Sequence, residues 1–413
     1  MFTNVLKKKC LLLILLGLIN HPSFAVSEGL IQSEKDKSPE FLLGKSTRPN
    51  MEIQSQDNPE MKFNLGLRFM GSFETISKST GTQRTYDFYG RRVRLEAGAS
   101  FTKKLSFKMD LRNDRANFAD KGEKFFHVGD AKLTLKKPFD NDYVNFYFYR
   151  AKVDVSRTQT VSSADLIAYD RPYITDFAAD YVSQSRRATN ITLFGNWEER
   201  VSYSLVVGDG ITSSKLEDAK GKAAVSIASQ SPMIGAKIKV APIEGWEDPK
   251  PSESYFGQGK HFTVGLGVFN TSSIVFTPVT AGAATTVNHT LWNFELSGHY
   301  EGFFISAEYF QFDNMIRDFT VNPNETGKSR GGYVTMEYCF ANLNFLAPFI
   351  RFETWNKFQS DPAYRVISKM AGVNWYLKGN SVKVGASYQV DDLGSAIGGR
   401  TDNIFRLTSQ IHF

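Results

Sequence analysis

The sequence predicts an all-β protein, a transmembrane antiparallel β-barrel of about 16 strands with short periplasmic turns and long external loops. Three observations in the 413-residue chain support this fold class. The N-terminus resembles a secretory signal, apolar and polar residues alternate from Met61 onward, and the chain ends on an alternating strand that closes with Phe413. Together they indicate an exported protein whose strands face an apolar medium on one side and water on the other.

The first 25 residues have the three parts of a signal peptide. Residues 7–9 are lysines, residues 11–19 form an apolar run of nine broken only by Gly17, and Ser23 and Ala25 fit a cleavage site. The run is too short to span a bilayer, which needs about 20 apolar residues. Cys10 precedes the run, which argues against a lipoprotein. Cleavage after Ala25 would leave Cys339 as the sole cysteine, so no internal disulfide is expected.

The composition combines many aromatic residues with a low mean hydropathy. Aromatic residues make up 14% of the chain, with 34 Phe and 17 Tyr, yet the mean hydropathy is −0.30. A membrane barrel places aromatic residues on its outside and polar residues in a wet lumen, so the two values agree. The formal charge of +6 falls to +3 when the three signal lysines are removed, and it identifies no partner on its own.

Alternation divides the remaining chain into two parts. Residues 26–60 are polar and contain prolines, and we interpret them as a flexible periplasmic segment. Residues 61–413 show the period of two that is typical of strands, and they form the predicted barrel. Sixteen strands are predicted, an even number as bacterial barrels require, near 62–75, 84–101, 104–114, 126–137, 142–155, 187–197, 199–208, 232–241, 261–270, 290–300, 303–313, 331–341, 347–357, 366–378, 381–391 and 402–413.

The predicted connections alternate in length. Short ones at 102–103, 196–198, 301–302 and 378–380 are assigned to the periplasm, because tight turns of outer-membrane barrels lie there. Long ones are predicted to be external or folded inward, at 76–85, 115–125, 156–186, 209–231, 271–289, 314–330 and 392–401. In the strand at 142–155, Phe146 and Phe148 share a parity with the charged residues Arg150, Lys152 and Asp154, which a bulge or an aromatic girdle would explain.

The last strand carries a more specific signal. Its apolar face is formed by Phe405, Leu407, Ile411 and Phe413, interrupted by Ser409. The pattern is similar to the last strand of outer-membrane barrels, which the barrel-assembly machinery recognises. The alternative is an ordinary edge strand of a soluble sheet.

Several stretches resemble the phosphate-selective porin family of the O and P type. They are RRVRLEAGASFTKKLSFKMDLRND (91–114), YDRPYITDF (169–177), SQSRRATNITLFGNWEERVSYSLVVGDG (183–210) and AGVNWYLKGNSVKVGASYQVDD (371–392). The resemblance implies a sixteen-stranded, usually trimeric channel in the outer membrane of a Gram-negative bacterium, with a basic lumen and an inward-folded third loop. Residues 158–184 would supply that loop. None of the family's individual binding lysines is matched.

Strand parity predicts which charges face the lumen, because the aliphatic face of each strand marks the lipid side. Fifteen basic residues are predicted to point inward: Arg68, Arg92, Arg94, Lys104, Lys108, Arg112, Lys132, Lys136, Arg150, Lys152, Lys237, Lys239, Arg351, Lys383 and Arg406. Seven acids oppose them: Glu96, Asp110, Asp154, Glu295, Glu308, Glu337 and Glu353. The basic surplus lies before residue 240, so one wall is expected to be basic and the other mixed.

The third loop adds charges of both signs. The basic residues are Arg157, Arg171, Arg186 and Arg187, and the acids are Asp165, Asp170, Asp176 and Asp180. Such a loop often opposes acids and bases across a constriction, and the alternative is a solvated external loop. We expect the constriction, mostly because of the family resemblance.

The expected function is passive diffusion of small hydrophilic solutes through a porin, leaning to anions such as phosphate. A basic strip in a confined aqueous pore concentrates anions, although barrel lumens commonly hold paired charges for solvation alone. The alternative is a structural or adhesive barrel whose loops bind an external partner. An enzyme is not expected, since the few histidines lie at no telling spacing from Ser or acids, and no cofactor, metal or nucleic-acid motif occurs. The expected partners are outer-membrane lipid, small anionic or neutral solutes, the barrel-assembly machinery and two further copies of the chain in a homotrimer.

Overall fold

The computed structural model describes residues 51–55, 58–80, 84–116, 125–184, 187–198, 200–242, 252–256, 260–279 and 282–413. The signal peptide predicted at residues 1–25, most of the segment predicted at residues 26–60, and Arg186 lie outside the described residues. The barrel itself is therefore described over most of its length.

Within these described residues, eighteen strands form one antiparallel sheet. They are β1 (Met51–Gln54), β2 (Lys62–Lys78), β3 (Arg84–Ser100), β4 (Leu105–Ala116), β5 (His127–Leu135), β6 (Asn145–Arg150), β7 (Thr189–Trp197), β8 (Val201–Gly208), β9 (Ser226–Ser229), β10 (Met233–Val240), β11 (Lys260–Thr277), β12 (Thr285–Tyr300), β13 (Phe303–Asp318), β14 (Asn322–Tyr338), β15 (Leu346–Asn356), β16 (Arg365–Asn380), β17 (Val382–Leu393) and β18 (Arg400–His412). Sixteen of these coincide with the predicted strands.

The sheet closes on itself. The last strand pairs with the first long one, from Asp402 opposite Lys78 to His412 opposite Arg68. β8 pairs directly with β10, so the ring runs from β2 to β8 and from β10 to β18. The predicted sixteen-stranded antiparallel barrel is confirmed. Closure gives each of the sixteen ring strands a neighbour on both sides. A β-protein in lipid requires this, because an unpaired strand edge would leave its backbone polar groups without hydrogen bonds.

Two short strands escaped the sequence pattern. β1 pairs with the periplasmic end of β2, where Met51 lies opposite Leu65. β9 pairs with the external end of β11, where Ser229 lies opposite Val275. Both have four residues, too few for a period of two to stand out.

The predictions of long loops at 271–289 and 314–330 are wrong. β11 and β12 are separated only by residues 278–284, and β13 and β14 only by residues 319–321. These hairpins extend beyond the length needed to cross a membrane. The external connection at 209–232 packs on these hairpins, which explains their length. The contact is an apolar cluster of Ile211, Leu216, Ala224, Ile274, Phe276, Val287, Ile316 and Phe319.

The two faces of the barrel differ as a membrane requires. On β12, Trp292 and Phe294 are 44% and 48% exposed. Asn293 and Glu295, which alternate with them, are almost fully buried in the lumen. The same alternation places Leu407 of β18 on the outer face. Phe405, Ile411 and Phe413 share that parity, and Phe413 pairs through its backbone with Leu67. Recognition of this strand by the assembly machinery remains a prediction.

The irregular strand is β6. Tyr149 has a φ of +80°, a left-handed conformation that is uncommon for a residue with a large side chain. It lies one residue before the end of the strand at Arg150. The backbone therefore changes direction here, and Lys152 and Asp154 no longer share the face of Phe148. A local bulge-like distortion accounts for the parity conflict better than an aromatic girdle.

Where the structure describes the chain, helical structure is confined to connections. Two α-helices, α1 (Arg157–Thr160) and α2 (Tyr173–Val182), lie between β6 and β7 there, and short 3-10 turns occur at Ala341–Leu343, Pro362–Tyr364 and Ser395–Ile397. Among the described residues, no helix combines the length and the apolar character needed to cross a membrane.

The outward face predicts the effect of a buried charge in lipid. Ile350, in the middle of β15, is 57% exposed on the outer face. Ile350→Arg is expected to lower the free energy of unfolding by about 2–4 kcal/mol if it lies near the bilayer midplane. The matched control Leu343→Arg, in the turn after β14, should cost about 0–1 kcal/mol. Urea unfolding in phospholipid vesicles measures both, and equal costs would contradict the assignment of faces.

Candidate pore and constriction loop

The connection between β6 and β7 folds into the barrel. From residue 151 to residue 183 most side chains are buried, although the segment is a loop. Ser156 caps α1, and its hydroxyl accepts a hydrogen bond from the backbone of Gln159. α2 begins after Pro172, and its residues Ile174 and Ala178 pack against the barrel wall in an apolar cluster. We call residues 151–184 the constriction loop.

Two carboxylates of the opposite wall bind the first helix of the constriction loop. Glu308 on β13 accepts hydrogen bonds from the backbone N–H of Thr158 at 3.0 Å and from the Ser156 hydroxyl at 2.9 Å. Glu295 on β12 accepts the backbone N–H of Arg157 at 2.9 Å. Lys237 donates to Glu295 at 2.6 Å. These groups satisfy the free N–H groups at a helix start, which are otherwise costly to bury.

A third carboxylate binds the second helix. Glu353 on β15 accepts the backbone N–H of Tyr173 at 3.0 Å and that of Ile174 at 2.7 Å. Negative charge is favoured at a helix N-terminus, where the N–H groups point outward along the axis. Glu353 therefore positions α2 across the lumen.

The acids predicted to face the lumen on this wall are accordingly not open to water. Glu295, Glu308, Glu337 and Glu353 are each at most 2% exposed. Glu337 accepts a hydrogen bond from the Tyr376 hydroxyl at 2.7 Å. We call these four residues the wall glutamates. Their charges are used to hold the loop and its neighbours.

The tip of the constriction loop contacts the opposite side of the barrel. Asp170 accepts hydrogen bonds from Arg91 at 2.5 and 3.0 Å, and its carboxylate lies 3.6 Å from Arg92 and 3.8 Å from Arg406. Burial alone would raise the pKa of Asp170, but Arg91, Arg406 and Arg92 outweigh that effect and hold the pKa well below its usual range. Asp170 is the loop acid that opposes bases across the lumen.

A bulge brings Arg91 into this cluster. On β3 the ladder with β2 passes from Gly90 to Arg92 opposite Gly71 and Met70, so Arg91 has no partner on β2. The extra residue turns toward the lumen although its parity assigns it to the lipid side. Sequence parity missed Arg91 for this reason. The two adjacent arginines after a glycine were the only available signal.

A cavity of about 400 Å³ lies beside the loop tip on the external side. Its charged lining is balanced, with four bases and four acids: Lys78, Arg91, Arg400, Arg406, Glu74, Asp170, Asp391 and Asp402. Glu74 is a lumen acid that the sequence reading omitted, and it binds Arg406 at 2.5 Å. This external vestibule therefore carries no net charge in its lining.

Like charges face each other on the wall formed by β2, β3 and β4. Arg68 lies directly opposite Arg94, and Arg94 lies directly opposite Arg112. Glu96 pairs with Arg68, and Asp114 lies 3.3 Å from Arg94. We call Arg68, Arg94 and Arg112 the arginine row. Like charges directly opposite in a sheet are destabilising, so the row costs stability.

The lysines of this wall lie beside the row. Lys108 on β4 is directly opposite Lys132 on β5, and its side chain is 47% exposed and 3.3 Å from Glu96. Lys132 is half-buried with its amine 5.1 Å from the centre of the Tyr147 ring. Lys104 and Lys136 instead lie just beyond the strand ends at the turns.

Most of the remaining predicted basic residues support the constriction loop. Backbone carbonyls of the loop accept hydrogen bonds from Arg92 (Tyr169, 2.7 Å), Lys152 (Val161, 3.3 Å), Arg351 (Asp170, 2.6 Å) and Lys383 (Leu166, 2.5 Å). Lys237 and Lys239 bind Asp154 at 3.0 and 3.2 Å. Arg150 instead donates to the backbone of Gly129 on β5 at 3.0 Å.

The predicted loop charges have separate roles. Arg171 donates to the carbonyl of Thr158, and Asp176 accepts from Gln159, so both act within the loop. Arg187 binds Asp130 on β5 at 2.5 Å. Arg157 points away from the wall formed by β2, β3 and β4 and toward the connection between β10 and β11.

The periplasmic connection between β10 and β11 was also missed. It spans residues 241–259, far longer than the other turns on that side, and its described part, residues 252–256, lies in the lumen. Arg157 donates to the carbonyl of Ser252 at 2.6 Å. The gap between the predicted strands at 232–241 and 261–270 was the signal. In the described part of the chain no group of three or more His, Cys, Asp and Glu is placed to hold a metal ion.

A closed sixteen-stranded antiparallel barrel, apolar outside and polar inside, with a loop folded into its lumen, has the architecture of a porin. The family model described as phosphate-selective porin O and P matches residues 63–392, and the chain belongs to this family. The protein is therefore an outer-membrane channel of a Gram-negative bacterium.

Solved structures share the fold at low sequence identity. The anion-selective porin from Comamonas acidovorans is 12% identical with a TM-score of 0.59, covering 86% of this chain and 100% of that chain. OprB of Pseudomonas putida is 11% identical with a TM-score of 0.60, covering 85% and 94%. In sequence, the chain is similar to an uncharacterised protein of Aquifex aeolicus (strain VF5), 23% identical over 395 residues and covering 88% and 90%.

The wall glutamates predict the mobility of the constriction loop. Glu308→Ala removes the acceptor for the N–H groups of Arg157 and Thr158, so α1 should detach from β13. We expect a larger open-channel current noise and faster proteolysis within residues 151–184. The matched control Glu325→Ala changes a partly exposed acid that pairs with Arg317 at the rim. Equal noise in the two variants would contradict the anchoring role.

The low pKa of Asp170 predicts resistance of the loop tip to acid. A depressed carboxylate pKa stabilises above the unfolded value of about 3.9 and loses effect only as the pH falls through the folded pKa. The noise added by Asp170→Asn relative to the wild type should therefore stay constant from pH 7 to about 4.5. Asp140→Asn, in an exposed turn, should add no noise in this range. An effect of Asp170→Asn that shrinks below about pH 6 would refute this assignment.

Proposed function

We propose that the protein is a diffusion channel that prefers small anions, including phosphate, and also admits small neutral solutes. The partly exposed bases Lys108, Arg112 and Lys132 on β4 and β5 are the observation that carries the proposal. Lys108 lies directly opposite Lys132, a like-charge pair that costs stability, and such a cost is retained more readily where the charges serve the solute. The family's name agrees with this preference.

The balance of accessible charge supports the same preference. The wall glutamates are buried and hydrogen-bonded, so they contribute little attraction for cations in the aqueous path. Lys108, Arg112 and Lys132 remain partly exposed on the opposite wall. A confined aqueous path bounded by cations raises the local concentration of anions. Arginine guanidinium groups also match the oxygens of phosphate and carboxylate.

The proposal includes assembly and assigns no catalytic role. We expect the chain to form a homotrimer, as the family resemblance implies, and to depend on the barrel-assembly machinery through Phe413. The structural or adhesive alternative predicts no solute flux. Liposome swelling with small sugars distinguishes the two, and the absence of swelling would reject the channel proposal in favour of that alternative.

A charge reversal on the basic wall tests the anion preference. Lys132→Glu changes the charge by two units, which shifts the energy of an anion about 8 Å away by about 1 kcal/mol in water, a roughly fivefold change in local concentration. We expect the reversal potential in a salt gradient to move toward cations. The matched control Lys103→Glu, whose side chain is 85% exposed in a turn, should leave it nearly unchanged.

The wild-type measurement comes first in this experiment. A wild-type reversal potential that indicates cation preference would reject the anion proposal whatever the variants do. Equal shifts for Lys132→Glu and Lys103→Glu would show that Lys132 does not face the solute path. Competition between phosphate and chloride in single-channel recordings then separates phosphate preference from a general preference for anions.

A further inference from the structure

Residues 252–256, with the sequence Ser-Glu-Ser-Tyr-Phe, enter the lumen from the periplasmic side. They belong to the connection between β10 and β11. Glu253, Ser254 and Phe256 are 5%, 2% and 6% exposed, which is unusual for a turn at a barrel end. We call these five residues the periplasmic insert.

The periplasmic insert binds the constriction loop. The Glu253 carboxylate accepts the backbone N–H of Ile167 at 2.8 Å and the Thr158 hydroxyl at 3.2 Å. Arg157 completes the contact through the carbonyl of Ser252. Two connections from opposite ends of the barrel therefore meet inside the lumen.

The periplasmic insert also packs on the wall that carries the glutamates. Phe256 meets the Tyr376 ring edge to face at 5.0 Å, and the two rings share an apolar cluster with Cys339. Tyr255 stacks on His299 of β12 at 4.9 Å. The insert thus fills the periplasmic half of the lumen on the side of β11 to β16.

The wall glutamates lie under this packing. Glu337 binds the hydroxyl of Tyr376, whose ring is covered by Phe256, and Ser254 lies next to the Glu337 carboxylate. Glu308 binds the Tyr333 hydroxyl at 2.6 Å and the helix that Glu253 also holds. Removing the insert would give water a route to both carboxylates.

We propose that the periplasmic insert determines the ion selectivity of the channel by keeping water and cations away from the wall glutamates. Solutes then pass along the partly exposed Lys108, Arg112 and Lys132, and the acidic wall has no part in the conducting path. A carboxylate that reaches water in a narrow pore attracts cations, and a covered one does not. This inference rests on the proposed anion preference.

The experiment replaces the insert by Gly-Ser-Gly-Ser-Gly, which keeps the length of the connection. All variants carry Cys10→Ser, so that Cys339 is the one thiol in the sequence. Cys339 lies buried beside Phe256 and reports on the insert through its reaction with a water-soluble maleimide. Single-channel conductance and the reversal potential in a potassium chloride gradient are measured on the same samples.

The replacement is expected to raise conductance, to speed labelling of Cys339 at least tenfold, and to move the reversal potential toward cations. The direction of this last change is decisive. The replacement deletes the negative charge of Glu253, and that loss alone would move the potential toward anions. The variant Glu253→Gln measures this charge effect with the aromatic packing of Tyr255 and Phe256 retained.

Two further variants protect the experiment against a folding defect. Phe256→Ala keeps every charge and should give the same three changes at smaller size. Its matched control, Phe139→Ala in an exposed periplasmic turn, should give none. Heat-dependent migration in gels verifies that each barrel is folded.

Three outcomes would overturn the inference. Unchanged conductance and slow labelling of Cys339 in the replacement would place the insert outside the conducting path. Increased conductance with a reversal potential that is unchanged or moves toward anions would show that the insert blocks part of the pore without determining its selectivity. Equal effects of Phe256→Ala and Phe139→Ala would show that the packing of Phe256 does not determine selectivity. A cation-selective wild type would instead reject the proposed function, before any variant is compared.

Discussion

Hydrogen bonds from the loop backbone to buried carboxylates organise the interior of this barrel. A loop that crosses a lumen must satisfy its backbone N–H groups away from bulk water, and an isolated carboxylate on the wall must be compensated. Glu308, Glu295 and Glu353 meet both needs at once, because each accepts N–H groups at the start of a loop helix. The position of the loop follows from three side chains on β12, β13 and β15.

This arrangement divides the lumen into two unlike halves. One half is packed by the constriction loop, the periplasmic insert and aromatic side chains such as Phe310 and Trp355. The other half retains the arginine row and the partly exposed Lys108. The loop tip connects the two through Asp170 and its surrounding arginines. A count of charges by strand parity treats both halves alike, and it therefore overstates the acidity of the water path.

The barrel could be predicted from the sequence because its two faces meet opposite solvents. Residues such as Phe294 and Glu295 alternate along every long strand, so strand number and facing followed from a period of two. The interior could not be predicted in the same way. Arg91 was missed because a bulge breaks the period, and the insert at residues 252–256 was missed because an irregular segment has no period. Thr158, the loop partner of Glu308, is 150 residues away in the chain, a separation that no local pattern encodes.

The bulge at Arg91 has a consequence for how such a pore changes over generations. In a regular strand of a closed barrel, inserting or deleting one residue turns every later side chain to the opposite face. Arg91 stands outside the ladder with β2, whereas the pairing with β4 keeps one register from Gly90 opposite Ala116 to Arg92 opposite Asp114. Losing it would remove a charge from the lumen and leave β3 with a regular ladder against β2, in which its lipid-facing residues keep their face. At a site of this kind the charge of the lumen can change by the gain or loss of a single codon, while the lipid-facing surface stays the same.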